Sequence, residues 1–273
     1  MIASDRRSIR MERLVVSLAI VLALVPFLWL AATAYKPGRD IFAIPPTLLF
    51  SPTLENFRKV LTLFDVPALL INSLKIAGTS ALLSLLVGVP AGYALARARS
   101  RWAMGLAYFF MAIRMVPPAA TLIPFYLMMR DIGLLGQWIS VALINTTLNA
   151  AFVTWMMFSY FRSLPKELEE AAMTDGCTQF GAFFKIALPA VRPGIIAAVM
   201  FCILFSWNDF LFAMFLTRLE DKPISVALLS AYGTKDITWG TLGALAHFST
   251  LPIVVIVLGL NRYFVQGLTR GIH

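Results

Sequence analysis

Five stretches of this chain run for sixteen to thirty residues without a charged side chain: Leu14 to Tyr35, Ile76 to Ala96, Ile132 to Phe161, Pro193 to Asn208 and Ile237 to Asn261. A helix needs about 20 apolar residues to cross a hydrocarbon core of roughly 30 Å, so each run is a candidate membrane span. The fourth run continues past Asp209 into Phe210–Thr217, and a sixth candidate, Trp102 to Met129, is interrupted only by Arg114. The expectation is an all-α polytopic membrane protein with six transmembrane helices. The first crosses at 14–35 and the others near 76–96, 102–129, 137–161, 193–217 and 239–261.

Composition agrees. The chain is 59% hydrophobic and 14% charged, against about 25% charged in ordinary soluble domains. The net charge of +9 does not point to nucleic acid, because that footprint needs clustered Lys and Arg on one face of a soluble domain, and here the charges sit between the apolar runs. Cys177 and Cys202 have no CxxC partner and no His at metal spacing, so both read as reduced bystanders, with no metal site and no catalytic residue.

The first span has a rival reading as a signal peptide, since Arg6, Arg7, Arg10 and Arg13 precede it and Ala32-Thr33-Ala34 mimics a cleavage site. Its 22 uncharged residues exceed the roughly 7–15 of a signal-peptide apolar region. With six alternating spans, residues 1–13, the loop Arg97–Arg101, the stretch Arg162–Arg192 and the tail 263–273 (with Arg262 at its edge) share one side. They carry thirteen Lys or Arg against nine on the other. The positive-inside rule makes that side cytoplasmic, and both termini with it.

The external connection 36–70 is rich in proline, then carries Leu54–Phe64, whose mixture of apolar and charged residues suits a helix lying on the membrane interface. The cytoplasmic loop 163–189 is more informative. Residues 163–176 read SLPKELEEAAMTDG: Ser163 is placed to cap a short helix, Pro165 falls in its first turn, and Glu167, Glu169 and Glu170 lie toward its positive end. Gly176 suits a left-handed stop, and Leu168, Ala172 and Gly176 recur every four residues as a stripe of little bulk.

Glu170-Ala171-Ala172, then Gly176, Ile186 and Leu188-Pro189 at their spacing, resemble the EAA loop of ATP-binding-cassette importer permeases. Asn72-Ser73-Leu74, Arg114-Met115 with Pro117 and Ile123-Pro124, the run Ser206 to Phe210, and the ending Arg262 to Thr269 resemble the carbohydrate branch, and within it the second, shorter subunit of maltose-type importers. The resemblance implies the type I importer permease fold over residues 71–262. It implies a heterodimer with a second permease, a cytoplasmic ATPase dimer and an extracytoplasmic solute-binding protein, in a bacterial inner membrane. It makes Leu168, Glu170, Ala171, Ala172 and Gly176 the ATPase-docking residues. No cofactor is then bound by this chain; ATP and Mg belong to the partner ATPase, and the sequence has no G-x-x-x-x-G-K-[ST] phosphate loop.

Ionisable groups at membrane depth are expensive and tend to face a bundle interior or a water-filled cavity. Arg114, Asp209 and its neighbour Asn208, and the pair Asn145 and Asn149 at i, i+4 are therefore candidates for a substrate pathway. A charge pair between Arg114 and Asp209 and interhelical hydrogen bonding by the asparagines are the structural alternatives. His247 reads as packing. A secondary transporter would show inverted repeats, which are not visible. An intramembrane enzyme would need more than His247 and Asp209.

Overall fold

The computed structural model describes residues 2–231 and 238–270, with side chains described from 11 to 229, at 231 and from 238 to 259. Helix α1 runs Ile2–Tyr35, α2 Glu55–Leu63, α3 Val66–Arg97, α4 Trp102–Ile113, α5 Pro118–Asp131, α6 Trp138–Ser163 and α7 Glu167–Thr174. After a broken helical run over Gln179–Ala190 follow α8 Arg192–Trp207, α9 Leu211–Leu216, α10 Ile224–Ala231 and α11 Trp239–Arg270. No strand occurs among the described residues. Among the described residues four segments are long and apolar enough to cross a membrane alone: Met11–Tyr35, α3, α6 and Trp239–Gly259.

The third and fifth passages are not straight. The continuous span expected over 102–129 is broken at Arg114 to Pro117, where α4 and α5 meet at 89°. Pro117 and Pro118 cannot donate the hydrogen bonds that would carry α4 onward. Its last turn tightens instead through bonds from the Arg114, Met115 and Val116 amides to carbonyls three residues back. The span expected over 193–217 is likewise divided, into α8 and α9, at Asn208 to Phe210. Two other boundaries move. Asn72, Ser73 and Leu74, expected ahead of the second span, lie inside α3, which starts at Val66. The last helix runs on to Arg270, through much of the expected tail, and Gly271 to His273 lie outside the described residues. A helix is present where one was expected over Leu54–Phe64, as α2.

The chain divides into two compact units. In the smaller, formed up to Val66 and by Leu228–Thr250, α1 packs on α2. The Asn56 side-chain amide donates to the Ala34 and Lys36 carbonyls at 2.9 Å each, satisfying carbonyls that the end of α1 leaves without helical partners. His247 stands edge-on to Tyr35 and Phe57, ring centroids 5.6 and 5.8 Å away, in the packing role expected of it. Nothing within this unit covers α1 between Leu14 and Leu30, where the large apolar side chains are 44–70% exposed. That all-round apolar surface belongs in lipid or against another subunit.

In the larger unit, Pro67–Ala227 with the chain from Leu251, α6 is the axis on which α4, α8 and α9 pack. Helix α3 meets it through Ser80, Ser84, Gly88, Gly92 and Ala96, small residues four apart and all buried. A Cβ on Gly92 would fall 2.8 Å from the Phe158 nitrogen and 2.9 Å from the Thr154 oxygen. At that separation the two backbones nearly touch, as in small-residue packing of membrane helices. Outside the helices, Gly136 and Thr217 pair, with the Gly136 amide donating to the Leu216 carbonyl at 2.8 Å and the Arg218 amide returning to Gly136 at 3.0 Å. Asn72 donates to the Glu220 carbonyl at 2.8 Å, so the same end of α3 is stitched to that turn. Because the obstruction at Gly92 is backbone, which cannot move aside, Gly92→Ala is expected to lower stability by about 1–3 kcal/mol. Thermal unfolding of the detergent-purified protein checks it, with Gly105→Ala, where a Cβ meets nothing within 4 Å, as the neutral control.

Candidate functional site

Along α6 the core separates into two apolar clusters. Val141 and Ile144 join Ile76, Met129, Phe212 and Leu216 near one end; Val153, Met157, Phe158 and Phe161 join Val89, Phe183 and Cys202 near the other. Between them α6 turns Asn145 and Asn149 inward, both buried. A cavity of about 510 Å³ opens at this level, lined by Arg114, Asn145, Asn149, Asn208 and Asp209 together with Thr121, Thr147, Phe125, Phe205, Phe210 and Phe212 among others. The five substrate-pathway candidates thus converge on one space, within the size range of small-ligand pockets, about 300–1,000 Å³.

The breaks in the third and fifth passages supply this geometry. Arg114 caps the last turn of α4. Its Nη1 donates to Asn149 Oδ1 at 3.1 Å, and its guanidinium lies over Phe205, 3.7 Å from the ring centroid, a cation–π contact. Asn149 spends its own amide on Ser80 Oγ at 3.1 Å, Ser206 Oγ at 2.9 Å and the Cys202 carbonyl at 3.4 Å. Asp209 accepts from Asn145 Nδ2 at 3.1 Å and from the Phe212 amide at 3.3 Å, and its carbonyl accepts from Ser225 Oγ at 2.8 Å. The charge pair considered between Arg114 and Asp209 does not form. The ion pairs among the described residues are Arg39–Asp40, Lys59–Glu55, Arg97–Glu169 and Arg130–Asp131.

Two details expected of the loop 163–189 are corrected by the structure. Ser163 is the last residue of α6, its hydroxyl bonded back to the Tyr160 carbonyl at 2.8 Å, rather than the cap of the next helix. Pro165 lies in the connection, and α7 begins only at Glu167. A proline disfavours helical geometry in the residue before it, so Leu164 is extended and the helix restarts beyond. Gly176 is the left-handed stop, at φ +91°. The Cys177 amide reaches the Ala172 carbonyl at 3.0 Å and the Gly176 amide the Met173 carbonyl at 3.1 Å, which is the Schellman pattern. Gly176 therefore lies past the helix end and is not the third member of a helical stripe. Leu168, Glu170 and Ala171 are exposed and Ala172 is half-buried.

Glu169, expected only as one of three acids in the first turn, is buried. It pairs with Arg97 and accepts from the Tyr93 hydroxyl at 2.6 Å. Burial alone would raise its carboxyl, but the Arg97 and Tyr93 hydrogen bonds and the Arg97 charge outweigh that and hold it below the ordinary carboxylate value. Its charge is therefore complete above the ordinary carboxylate value and is lost only as pH falls through the lowered one. Cys177 and Cys202 are free thiols, and no cluster of His, Cys, Asp or Glu among the described residues could hold a metal ion.

Residues 88–270 match the family described as binding-protein-dependent transport system inner membrane component. The chain belongs to that family. Among relatives, it is 33% identical to a probable ABC transporter permease, y4oR, of Sinorhizobium fredii, over 91% of this chain and 89% of that one. It is 30% identical to the sulfoquinovosyl glycerol permease SmoH of Agrobacterium fabrum (93% and 90%). To the trehalose permease SugB of Mycobacterium tuberculosis it is 31% identical (93% and 94%). A solved bacterial ABC transporter for the acidic polysaccharide alginate shares the fold, with a TM-score of 0.75 at 24% identity over 96% and 98% of the two chains. The permease is a multi-pass membrane protein of the type I ABC importer fold, a subunit that moves solute rather than an enzyme.

Asn149 and Asn208 separate support from lining. Replacing Asn149 by alanine strips partners from Ser80, Ser206 and Arg114, and thermal stability of the purified permease is expected to fall by about 1–3 kcal/mol. Asn208 is exposed and, among the described residues, its side chain bonds the Leu204 carbonyl of α8, so Asn208→Ala is expected to leave stability within about 0.5 kcal/mol.

Proposed function

We propose that this permease carries a carbohydrate or related polar solute, whether sugar, oligosaccharide, polyol or anionic sugar derivative, through the Arg114–Asp209 cavity by alternating access. The cavity's lining is the observation that carries the reading: amides and hydroxyls that can match sugar hydroxyls, aromatic faces that can match the apolar faces of a sugar ring, and one cation and one anion held apart. Relatives named for trehalose, sulfoquinovosyl glycerol and diacetylchitobiose support the class.

In this reading the permease pairs with a second, different permease, and a solute-binding protein delivers solute from outside. An ATPase dimer binds ATP and Mg and receives Leu168, Glu170, Ala171 and Ala172 on α7, with Gly176 setting the turn. The exposure of Leu168, Glu170 and Ala171 supports that assignment. The arginine excess on the loop Arg97–Arg101 supports a cytoplasmic location for α7 and for both termini.

Co-expression with the neighbouring transport genes, purification and reconstitution provide the test: ATP hydrolysis is expected to rise when the binding protein and one member of a panel of neutral and acidic sugars are added. No stimulation by any sugar, with stimulation by an amino acid or metal ion, would overturn the carbohydrate reading. Within the stimulated complex, Arg114→Lys is expected to weaken transport less than Arg114→Ala, which should cost about tenfold or more through a lost charge-assisted hydrogen bond. Normal stimulation of a well-assembled Arg114→Ala complex would remove Arg114 from the solute path.

Orientation has its own measurement. A cysteine at exposed Ser100, in the loop between α3 and α4, is expected to react with an impermeant thiol reagent in inverted vesicles and to be protected in intact cells. Labelling in intact cells would invert the topology. A cysteine at exposed Lys59 on α2 is expected to react in intact cells; Thr234, in the loop expected outside before the last span, lies outside the described residues.

A further inference from the structure

Arg97, the last residue of α3, ties that helix to two others at once. Its Nε and Nη2 donate to Glu169 Oε1 on α7, the former at 3.0 Å. Nη1 donates to the Phe161 carbonyl at 2.8 Å and Nη2 also to the Leu164 carbonyl at 3.3 Å, both at the end of α6. The Tyr93 hydroxyl, one turn back along α3, takes the other Glu169 oxygen at 2.6 Å, and its ring packs on Phe161 and Phe183 at 5.2 and 4.6 Å. The paired side chains are only 11% and 6% exposed.

We propose that Arg97, Glu169 and Tyr93 are positioning residues that form the joint through which movement of α7 enters the membrane helices. The proposal rests on the reading of α7 as the ATPase-docking helix. The covalent connections cannot carry that movement stiffly: Leu164 to Lys166 is non-helical, and the chain reverses through a left-handed turn at Gly176. Helix α7 has eight residues, too few to be stable alone. Its docking residues Leu168, Glu170 and Ala171 are exposed while Glu169 is buried, so a push received on one side arrives at a charge-assisted clasp on the other.

Beyond the clasp, α3 is continuous from Arg97 to Ser80, about 25 Å at the helical rise. The Ser80 hydroxyl accepts from Asn149, which in turn holds Arg114 in the cavity wall. Lysine could keep the charge at position 97 but not the planar fork that reaches one carboxylate and two carbonyls together.

The test needs no solute, because its probe is Mg-ATP with orthovanadate, read by an environment-sensitive fluorophore on Thr121→Cys in the cavity. The background is Cys177→Ser, and the whole complex is reconstituted. Glu169→Gln and Arg97→Lys are expected to assemble and to hydrolyse ATP at the unmodified complex's basal rate. Their vanadate-induced fluorescence shift should be about tenfold smaller, the weight of one charge-assisted hydrogen bond. Tyr93→Phe should give an intermediate loss and keeps the proposal testable if either charge variant fails to fold. A full shift in all the variants that fold overturns the joint, as does a loss that only tracks reduced assembly. Cross-linking of Ala171→Cys to the ATPase reports docking separately. If the unmodified contact fails to cross-link while the shift persists, the docking reading falls and the joint with it; if it cross-links and the variants shift normally, only the joint falls.

Discussion

The close approach of α3 to α6 sets the dimensions of everything else in the larger unit. Between helices in lipid there is no gain from removing apolar surface from water, so association depends on fit and on hydrogen bonds. Gly88 and Gly92 remove the side chains that would hold the two backbones apart, and Ser80 and Ser84 continue the same line with hydroxyls. Ser84 donates to the Thr146 carbonyl at 3.2 Å, while Ser80 accepts from Asn149. One row of small residues thus changes from packing to polar support along its length. Its packing portion lies beside the cluster of Val153, Met157 and Phe161, and its polar portion beside the cavity.

The cavity follows from two interrupted helices meeting that rigid pair. Uncapped helix ends in hydrocarbon would leave backbone groups without partners. At Arg114 the tightened turn satisfies the amides, and at Asp209 the carboxylate receives the Phe212 amide. The residues at these ends are the ones free to turn into the cavity, because they are released from regular helical packing. The broken passages are where irregular backbone is tolerable, alongside a polar space instead of lipid.

Much of this was legible in the sequence, and the exceptions share a cause. Uncharged length located the membrane passages, and Gly176 announced its left-handed turn, because both are local properties. Arg114, Asn145, Asn149, Asn208 and Asp209 were identifiable as expensive residues at membrane depth, although which neighbour each would choose was not. Pro117 and Pro118 were visible, but the 89° angle they allow depends on what packs around them. Ser163 had the right type for a helix cap and lost that role because α6 extends far enough to absorb it. The four-residue spacing from Ser80 to Ala96 was readable and is the signal that would have found the α3–α6 contact. No local pattern links Arg97 to Glu169, residues 72 positions apart. Arg97 looked like one more vote for orientation, and Glu169 like one more acid in a first turn.

Adjacent glutamates on α7 show how position along a helix divides like residues between roles. Successive side chains point about 100° apart, so with Glu169 turned into the bundle Glu170 faces outward. The buried carboxylate is satisfied by a guanidinium and a phenol, whereas the other stays exposed. The same logic runs through the cavity. Had Arg114 paired with Asp209, the two charges would have used up each other's strongest directions. Neutral amides hold them instead: Asn149 takes one guanidinium hydrogen and Asn145 offers one to the carboxylate. A guanidinium has five N–H donors, and among the described residues Arg114 commits one of them, to Asn149. The charges stay apart because the amides that orient them are fixed to one helix, α6, at positions four residues apart.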